Sequence, residues 1–183
     1  MASETTRCGV MAGALTTAWL VSACATMNVN SYVERGVDLR QYHTYNWAPP
    51  DTWSTGDPRL DHNRFFDERV RSQVDKQLAR RGFEKTAGQQ PDMLVHYHAS
   101  VSQEIDVREI DTSKSYCAAH ECRPFIYDKG TLFVDLVEPR TDKLIWRGWA
   151  EGNIDGVIDN QEWMESRIDK AVTRILTRLP SRP

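Results

Sequence analysis

One segment alternates strictly between two kinds of side chain, and it constrains the fold more than any other feature of the sequence. From Met93 to Ser102, apolar or aromatic residues fill the odd positions, and mostly polar ones, among them His96 and His98, fill the even positions. Successive side chains of a strand point to opposite faces, so this segment predicts a strand with one buried face and one polar face. We therefore expect a sheet that is packed on one side only.

Four further segments have the composition of strands. Branched and aromatic residues are concentrated in residues 29–33 and 42–47, and again in 131–137 and 144–151. The last two segments are separated by the turn-forming residues 139–142. They are therefore expected to pair as an antiparallel hairpin.

Two stripes of apolar residues at helical spacing predict two helices. The first is expected to end at Gly82, with Phe83 folding back over its last turn. The second is expected to begin at Asp159 or Asn160, where Asp159 and Glu162 suit a capping box. Together the elements predict a single α+β domain over residues 29–183. The stripes consist of Phe66, Val70, Val74 and Leu78, then Met164, Ile168, Ala171, Ile175 and Leu179.

The amino-terminal residues predict export and lipidation rather than a part of the fold. Residues 9–23 are small and apolar, and they are fewer than the roughly 20 residues that a helix needs to cross a bilayer. The segment ends in Leu-Val-Ser-Ala-Cys, which resembles the lipobox of bacterial lipoproteins. We therefore expect residues 1–23 to be a cleaved signal peptide, Cys24 to be acylated, and residues 24–28 to be a short tether. The alternative is an ordinary secretory signal peptide in which Cys24 has no role.

Lipidation would fix the location of the chain. A triacylated amino terminus carries more apolar chain than stable membrane anchoring needs. Residue 25 is Ala, whereas Asp at this position retains lipoproteins at the inner membrane of enteric bacteria. The sequence therefore favours a lipid anchor in the outer membrane, with the domain facing the periplasm.

Two cysteines remain after processing. Cys117 and Cys122 lie close together in the sequence, and two such thiols are expected to oxidise to a disulfide in the periplasm. The closed loop is small, so the bond is expected to pin a local turn rather than to stabilise the whole domain. That turn would lie within a long connection from Gln103 to Asp128.

The charge of the chain argues against nucleic acid as a partner. The 183 residues include 23 Lys or Arg and 26 Asp or Glu, which gives a net charge of −3. Because the two signs are interspersed, no basic surface is predicted. The apolar content of 40% is sufficient for a hydrophobic core.

A series of short motifs, spread in order over nearly the whole mature chain, resembles the DUF4136 lipoproteins. The resemblance implies a two-layer sandwich with one mostly antiparallel sheet, two helices on one face, export in Gram-negative bacteria and no established activity or catalytic residue. Family members often have a Gly- and aromatic-rich stretch where this chain has Cys117 and Cys122. The motifs are residues 44–47, Arg81-Gly82-Phe83, residues 91–95, Gly130-Thr131-Leu132 with Asp135, Thr141 with Leu144, Trp146-Arg147-Gly148 with Ala150, and Leu179-Pro180.

Candidate chemistry on the predicted elements is sparse. His96 and His98 share the polar face of their strand, and with His120 they could form a metal site, as an alternative to polar residues on an uncovered face. No nucleophile elbow, zinc-protease helix or phosphate-binding glycine loop occurs. The sequence therefore predicts no enzyme and no cofactor, and an envelope hydrolase is only the third hypothesis.

The predicted hairpin offers the more informative surface. If Leu144, Trp146, Gly148 and Ala150 face the helices, other hairpin residues face outward and expose aromatic and Arg side chains, as at interface hot spots. The opposite register, or a covering loop, would bury them. We expect a noncatalytic lipoprotein that binds an envelope protein or another envelope component; a protein that binds small molecules or metal through His96 and His98 is the alternative. The expected contact residues are Phe133, Asp135, Ile145, Arg147 and Trp149.

Overall fold

The computed structural model describes residues 27–50, 52–88, 90–110 and 124–180. In this part of the chain six strands form one sheet in the order β1-β6-β5-β4-β2-β3. Two α-helices complete the fold, which confirms the expected α+β class. The elements are β1 Asn28–Val33, β2 Thr44–Trp47, α1 Arg64–Ala79, β3 Glu84–Lys85, β4 Met93–Ile110, β5 Pro124–Glu138, β6 Lys143–Asn153 and α2 Gln161–Thr177.

The sheet is mostly antiparallel, as expected. β6 pairs antiparallel with β1 and β5, and β5 pairs antiparallel with β4. β2 is parallel to both β3 and β4, because the chain crosses over through α1 before it returns to the sheet. Asp92 fixes the start of this parallel pairing, since its carboxylate accepts the N–H groups of His43 and Thr44 at 2.8 Å each.

Both helices cover the same face of the sheet. The buried stripe of α1 includes Val70 and Val74, and that of α2 includes Ile168 and Ile175. They form one core with strand residues such as Trp146, which has no exposed surface. The two-layer architecture is therefore confirmed. Neither of these helices is long and apolar enough to cross a membrane.

The helix ends largely follow the local signals. At the end of α1, Gly82 adopts a φ of +80°, and the N–H of Phe83 donates to the carbonyl of Leu78 at 3.1 Å. Asn160 caps α2, because its side chain accepts the N–H of Trp163 at 3.0 Å. The capping box expected at Asp159 is wrong: this carboxylate binds Arg59 instead.

A bulge changes the orientation of the first residues of β6. The register between β5 and β6 shifts, so that Leu136 pairs with Trp146 while Val137 pairs with Leu144. Ile145 is the extra residue, and it is buried beside Trp146 in the core. The outward orientation expected for Ile145 is therefore wrong, because strict alternation fails at a bulge. Beyond Trp146 the alternation is regular.

The described parts of the connection expected over residues 103–128 form a β-ribbon. β4 and β5 remain paired as far as Ile110 and Pro124. The pairing of β5 with β6, in contrast, stops at Lys129 and Asn153. Residues 103–110 and 124–128 therefore form a two-stranded ribbon that extends past the end of the sheet, and we call it the arm.

Candidate functional site

The helices leave one side of the sheet uncovered, and we call this side the open face. Four of the five expected contact residues lie on it; Ile145 does not. Antiparallel partners share a face, so the strand register groups the side chains into two adjacent cross-strand rows. The first row is His96, Asp135, Arg147 and Tyr32, and the second is His98, Phe133, Trp149 and Asn30.

A bidentate ion pair between Arg147 and Asp135 lies at the centre of the first row. Arg147 donates from Nε to Oδ1 of Asp135 at 2.7 Å and from Nη2 to Oδ2 at 2.6 Å. The hydrogen bonds to Asp135 raise the pKa of Arg147 above its usual value. The Asp135 side chain is only 5% exposed, whereas that of Arg147 is 41% exposed. Asp135 therefore positions the Arg147 side chain and is not itself an accessible contact.

Aromatic side chains flank the ion pair. The guanidinium carbon of Arg147 lies 5.6 Å from the ring centre of Phe133, within cation–π range. Phe133 is directly opposite Trp149 in the strand register, and both are half-buried. The open face thus presents an Arg side chain beside two aromatic rings, a composition typical of binding hot spots.

The loop between β2 and α1 adds a residue that sequence reasoning missed. The ring of Trp53 lies 5.9 Å from that of His98, and Trp53 is 81% exposed. Its loop is attached to the free edge of β4, where the N–H of Val101 donates to the carbonyl of Thr55 at 2.6 Å. The sequence feature that could have indicated Trp53 is a large aromatic residue in an otherwise polar, Pro-rich loop.

Internal hydrogen bonds hold this loop in shape. The carboxylate of Asp61 accepts the Thr55 N–H at 2.7 Å, the Thr55 hydroxyl at 2.9 Å and the Ser54 hydroxyl at 2.8 Å. The bond from the Thr55 backbone is the main reason that the pKa of Asp61 is lowered. Gly56 packs so closely on Val101 that an added Cβ would lie 2.6 Å from its carbonyl oxygen. These contacts fix the backbone of the loop that carries Trp53.

The loop and the sheet enclose a groove of about 880 Å³. His98 and Phe133 line it from the open face, Trp53 lines it from the loop, and the start of α1 supplies the remaining side. This volume falls within the range of about 300–1,000 Å³ that is usual for small-molecule sites. Aromatic rings and charged groups both line it.

The side of the groove next to α1 is held by a separate network. The guanidinium of Arg71 lies 4.5 Å from the ring centre of Trp47 and also binds Asp67 at 2.7 Å. Tyr97 donates its hydroxyl to the same carboxylate at 2.8 Å. Burial is the main cause of the raised pKa of Tyr97, so this hydroxyl stays protonated. These contacts join α1 to the sheet and give the groove a fixed wall.

The two histidines of the proposed metal alternative lie side by side. The rings of His96 and His98 are nearly parallel, with their centres 6.4 Å apart, and Nε2 of His98 is 3.9 Å from Oδ2 of Asp135. Within the described residues there is no group of three or more His, Cys, Asp or Glu side chains suited to hold a metal ion. The remaining expected site residues, Cys24, Cys117, Cys122 and His120, lie outside the described part of the chain.

A sequence comparison identifies one family. The family described as "Domain of unknown function (DUF4136)" matches residues 29–181. No curated protein matches the chain in sequence.

Several solved structures are similar to this chain at low sequence identity, and those with a TM-score of 0.50 or above share its fold. A DUF4136 family protein from Bacteroides thetaiotaomicron superposes with a TM-score of 0.50 at 12% identity, over 84% of this chain and 96% of that one. A PDZ domain protein from Parabacteroides distasonis gives 0.53 at 13% identity, over 84% of this chain but only 36% of its own length. This chain thus spans about a third of that protein. The PelC dodecamer from Paraburkholderia phytofirmans gives 0.45 at 12% identity, over 86% of this chain and all of that one.

Proposed function

Starting from the fact that this chain belongs to the DUF4136 family of unknown function, we propose that it is a lipid-anchored envelope protein that binds a partner through its open face, without catalysis. The proposed contact residues are Phe133, Arg147 and Trp149, with Trp53 at the margin. Asp135 contributes indirectly, by holding Arg147. The partner is another envelope protein or an envelope component.

This proposal rests on one observation: the two cross-strand rows of the open face expose Arg147 beside Phe133 and Trp149, with no helix over them. A sheet face with no helix over it is stable in water when its side chains are polar, but here it presents Phe133 and Trp149 in register. The bidentate bond to Asp135 holds Arg147 in one orientation. A rigid side chain loses little entropy on binding, which favours affinity.

The location is supported by the sequence alone. The lipobox-like segment that ends at Cys24, followed by Ala25, favours acylation and the outer membrane. Replacement Cys24→Ala is expected to move the protein from the membrane fraction to the soluble or precursor form. Equal membrane retention of Cys24→Ala and the wild type would contradict the anchor.

The groove supports a second candidate function. Its volume of about 880 Å³ and its mixed aromatic and charged lining suit a small molecule. In the metal version of this alternative, His96 and His98 would supply two ligands. Metal analysis of protein purified from the periplasmic side checks that version directly, and a stoichiometric metal would favour it over partner binding.

Photo-crosslinking in cells tests the main proposal. A benzophenone amino acid at Trp149 is expected to yield a defined crosslinked species that mass spectrometry can identify. The matched control is the same probe at Lys76, an exposed residue of α1 on the opposite side of the domain. A partner captured equally from both positions, or from neither, would argue against the open face.

Truncation of the aromatic residues supplies an independent check. Trp149→Ala and Trp53→Ala are expected to weaken capture of that partner by more than about 1 kcal/mol each, roughly fivefold, if these are hot spots. Thermal unfolding of the same variants separates lost contact from lost fold. Unchanged capture by a stable Trp149→Ala protein would remove this surface from the proposal.

A further inference from the structure

Large apolar side chains are exposed at one end of the domain. Ile105 and Ile126 are cross-strand partners in the arm, and they are 57% and 55% exposed. Both lie on the face that the helices cover elsewhere, but the arm extends past the helices. A paired, exposed isoleucine patch on a β-ribbon is an association hazard unless something covers it.

A third exposed residue lies at the same end. Trp163, in the first turn of α2, is 58% exposed. One turn later, Arg167 donates to the carbonyl of Asn153 at 2.7 Å. Asn153 is the last residue of β6 and pairs with Lys129 at the base of the arm. The start of α2 is therefore next to the arm.

The arm is firmly attached to the domain at its base. The N–H of Ile154 donates to the carbonyl of Asp128, and the N–H of Asp128 donates to Oδ1 of Asp155, both at 2.8 Å. Lys129 bridges to Glu104 across the ribbon at 2.7 Å. The direction of the arm is thus coupled to that of the sheet.

The chain enters the domain from this same end. β1 begins at Asn28, which pairs with Glu151 close to the last residue of β6. From there β1 runs away from the arm, to Val33 opposite Trp146. The described chain therefore starts on the side of the domain from which the arm extends, and the proposed lipid on Cys24 would be tethered to that side.

The lengths of the tether and the arm match. The tether from Cys24 to Asn28 reaches at most about 14 Å when fully extended. Asn28 shares a cross-strand row with Ser100, and Ile105 lies about 17 Å further along β4 at the usual rise of a strand. The isoleucine pair therefore extends at least as far as the anchor can reach.

We propose that Ile105, Ile126 and Trp163 contact the lipid surface in which Cys24 is anchored. This inference rests on the proposed lipid anchor. An isoleucine pair inserts into the apolar boundary of the bilayer, and a Trp side chain suits its interface. The contact would lay the isoleucine-bearing face of the arm along the lipid surface, because steep strands would drive the charged residues beyond Ile105 into the bilayer. It would also keep the arm from pairing with other chains.

The chemistry of this end favours neutral lipid. Acidic residues surround the apolar patch and outnumber the bases, so attraction to an anionic surface is not expected. The contact is apolar and should be insensitive to salt. The acidic residues are Glu104, Asp106, Asp128, Asp155, Asp159 and Glu162, beside the bases Lys129, Arg59 and Arg167.

The test uses the mature, lipidated protein, which begins at Cys24, in phosphatidylcholine vesicles. A benzophenone amino acid at Ile105 or Ile126 is expected to form lipid adducts at a yield several times that from Tyr32, at low and high salt alike. Tyr32 is a matched control, because it is an exposed residue near the far end of β1. Equal yields from Ile105 and Tyr32, or adducts from Ile105 only to a second copy of the chain, would overturn the proposal.

The design separates the arm from the anchor. If the wild type carries lipid by mass spectrometry and binds vesicles, but Ile105 gives no lipid adduct, the arm contact fails and the anchor stands. A protein without lipid contradicts both. The Ile105→Ser/Ile126→Ser double variant is expected to unfold at the wild-type temperature, because both side chains are exposed. In the same variant, a benzophenone probe at Trp163 is expected to give fewer lipid adducts than it gives in the wild type. An unchanged yield from Trp163 would also count against the proposal.

Discussion

Replacing Arg147 should destabilise the fold more than replacing its buried partner. The two residues form one bidentate pair on the open face, but they differ in access to water. In Arg147→Leu, the Asp135 carboxylate stays buried without its counterion. In Asp135→Val, the long Arg147 side chain can turn its charged group into solvent. The two single variants are therefore not equivalent.

The expected magnitudes follow from the two exposures. Removing one partner of a buried pair costs about 3–5 kcal/mol, chiefly because the other charge is left unpaired. The Asp135 side chain is 5% exposed and that of Arg147 is 41% exposed. We expect Arg147→Leu to cost about 2–3 kcal/mol, Asp135→Val about 1 kcal/mol, and the double variant no more than about 1 kcal/mol, because it leaves no buried charge.

Urea unfolding followed by tryptophan fluorescence measures all three free energies. At about 2–4 °C per kcal/mol, Arg147→Leu should also lower the melting temperature by roughly 4–12 °C. The double variant should melt above Arg147→Leu. Equal losses in the two single variants, or additive losses in the double variant, would refute the argument from unequal burial.

Three glycine and carboxylate sites allow further predictions. Gly148→Ala should cost about 1–3 kcal/mol in urea unfolding, because the new Cβ would lie 2.3 Å from the ring of Trp146. Gly56→Ala should detach the loop from Val101, since the site combines a φ of +88° with close contact, and limited proteolysis should then cleave the loop faster. Burial raises the pKa of Asp92, but backbone N–H donors outweigh it and lower the pKa overall. Its contribution to stability is therefore present at neutral pH and lost as the pH falls through the folded-state pKa, so Asp92→Asn should be less stable than the wild type at pH 7 and converge with it in acid.

Periodicity predicted the parts of the fold in which local pattern and packing agree. The alternation that begins at Met93 marks β4, and the spacing of Val70, Val74 and Leu78 marks the buried stripe of α1. These patterns depend only on which face is buried. They do not indicate which strands are neighbours in the sheet, so the parallel pairing of β2 with β4 was not predicted.

The candidate site was predicted in part, and its errors have local causes. Phe133, Arg147 and Trp149 share the open face because alternation holds beyond Trp146. Ile145 was misplaced because a bulge is set by how β5 and β6 pair, which no single strand reveals. Trp53 was missed because a loop residue is positioned by tertiary contacts rather than by periodicity.

The proposed anchor and arm together limit which partners can reach the open face. Counted along β6 from Glu151, the row of Trp149 lies about 7 Å beyond Asn28 and the row of Arg147 about 13 Å beyond it. With a tether of at most about 14 Å, Trp149 and Arg147 lie within roughly 27 Å of the lipid. The isoleucine-bearing face of the arm and the open face lie on opposite sides of the sheet, so the arm contact leaves Arg147 and Trp149 uncovered. The partner should therefore be a protein or component that itself lies at the membrane, and the species crosslinked from Trp149 should fractionate with it.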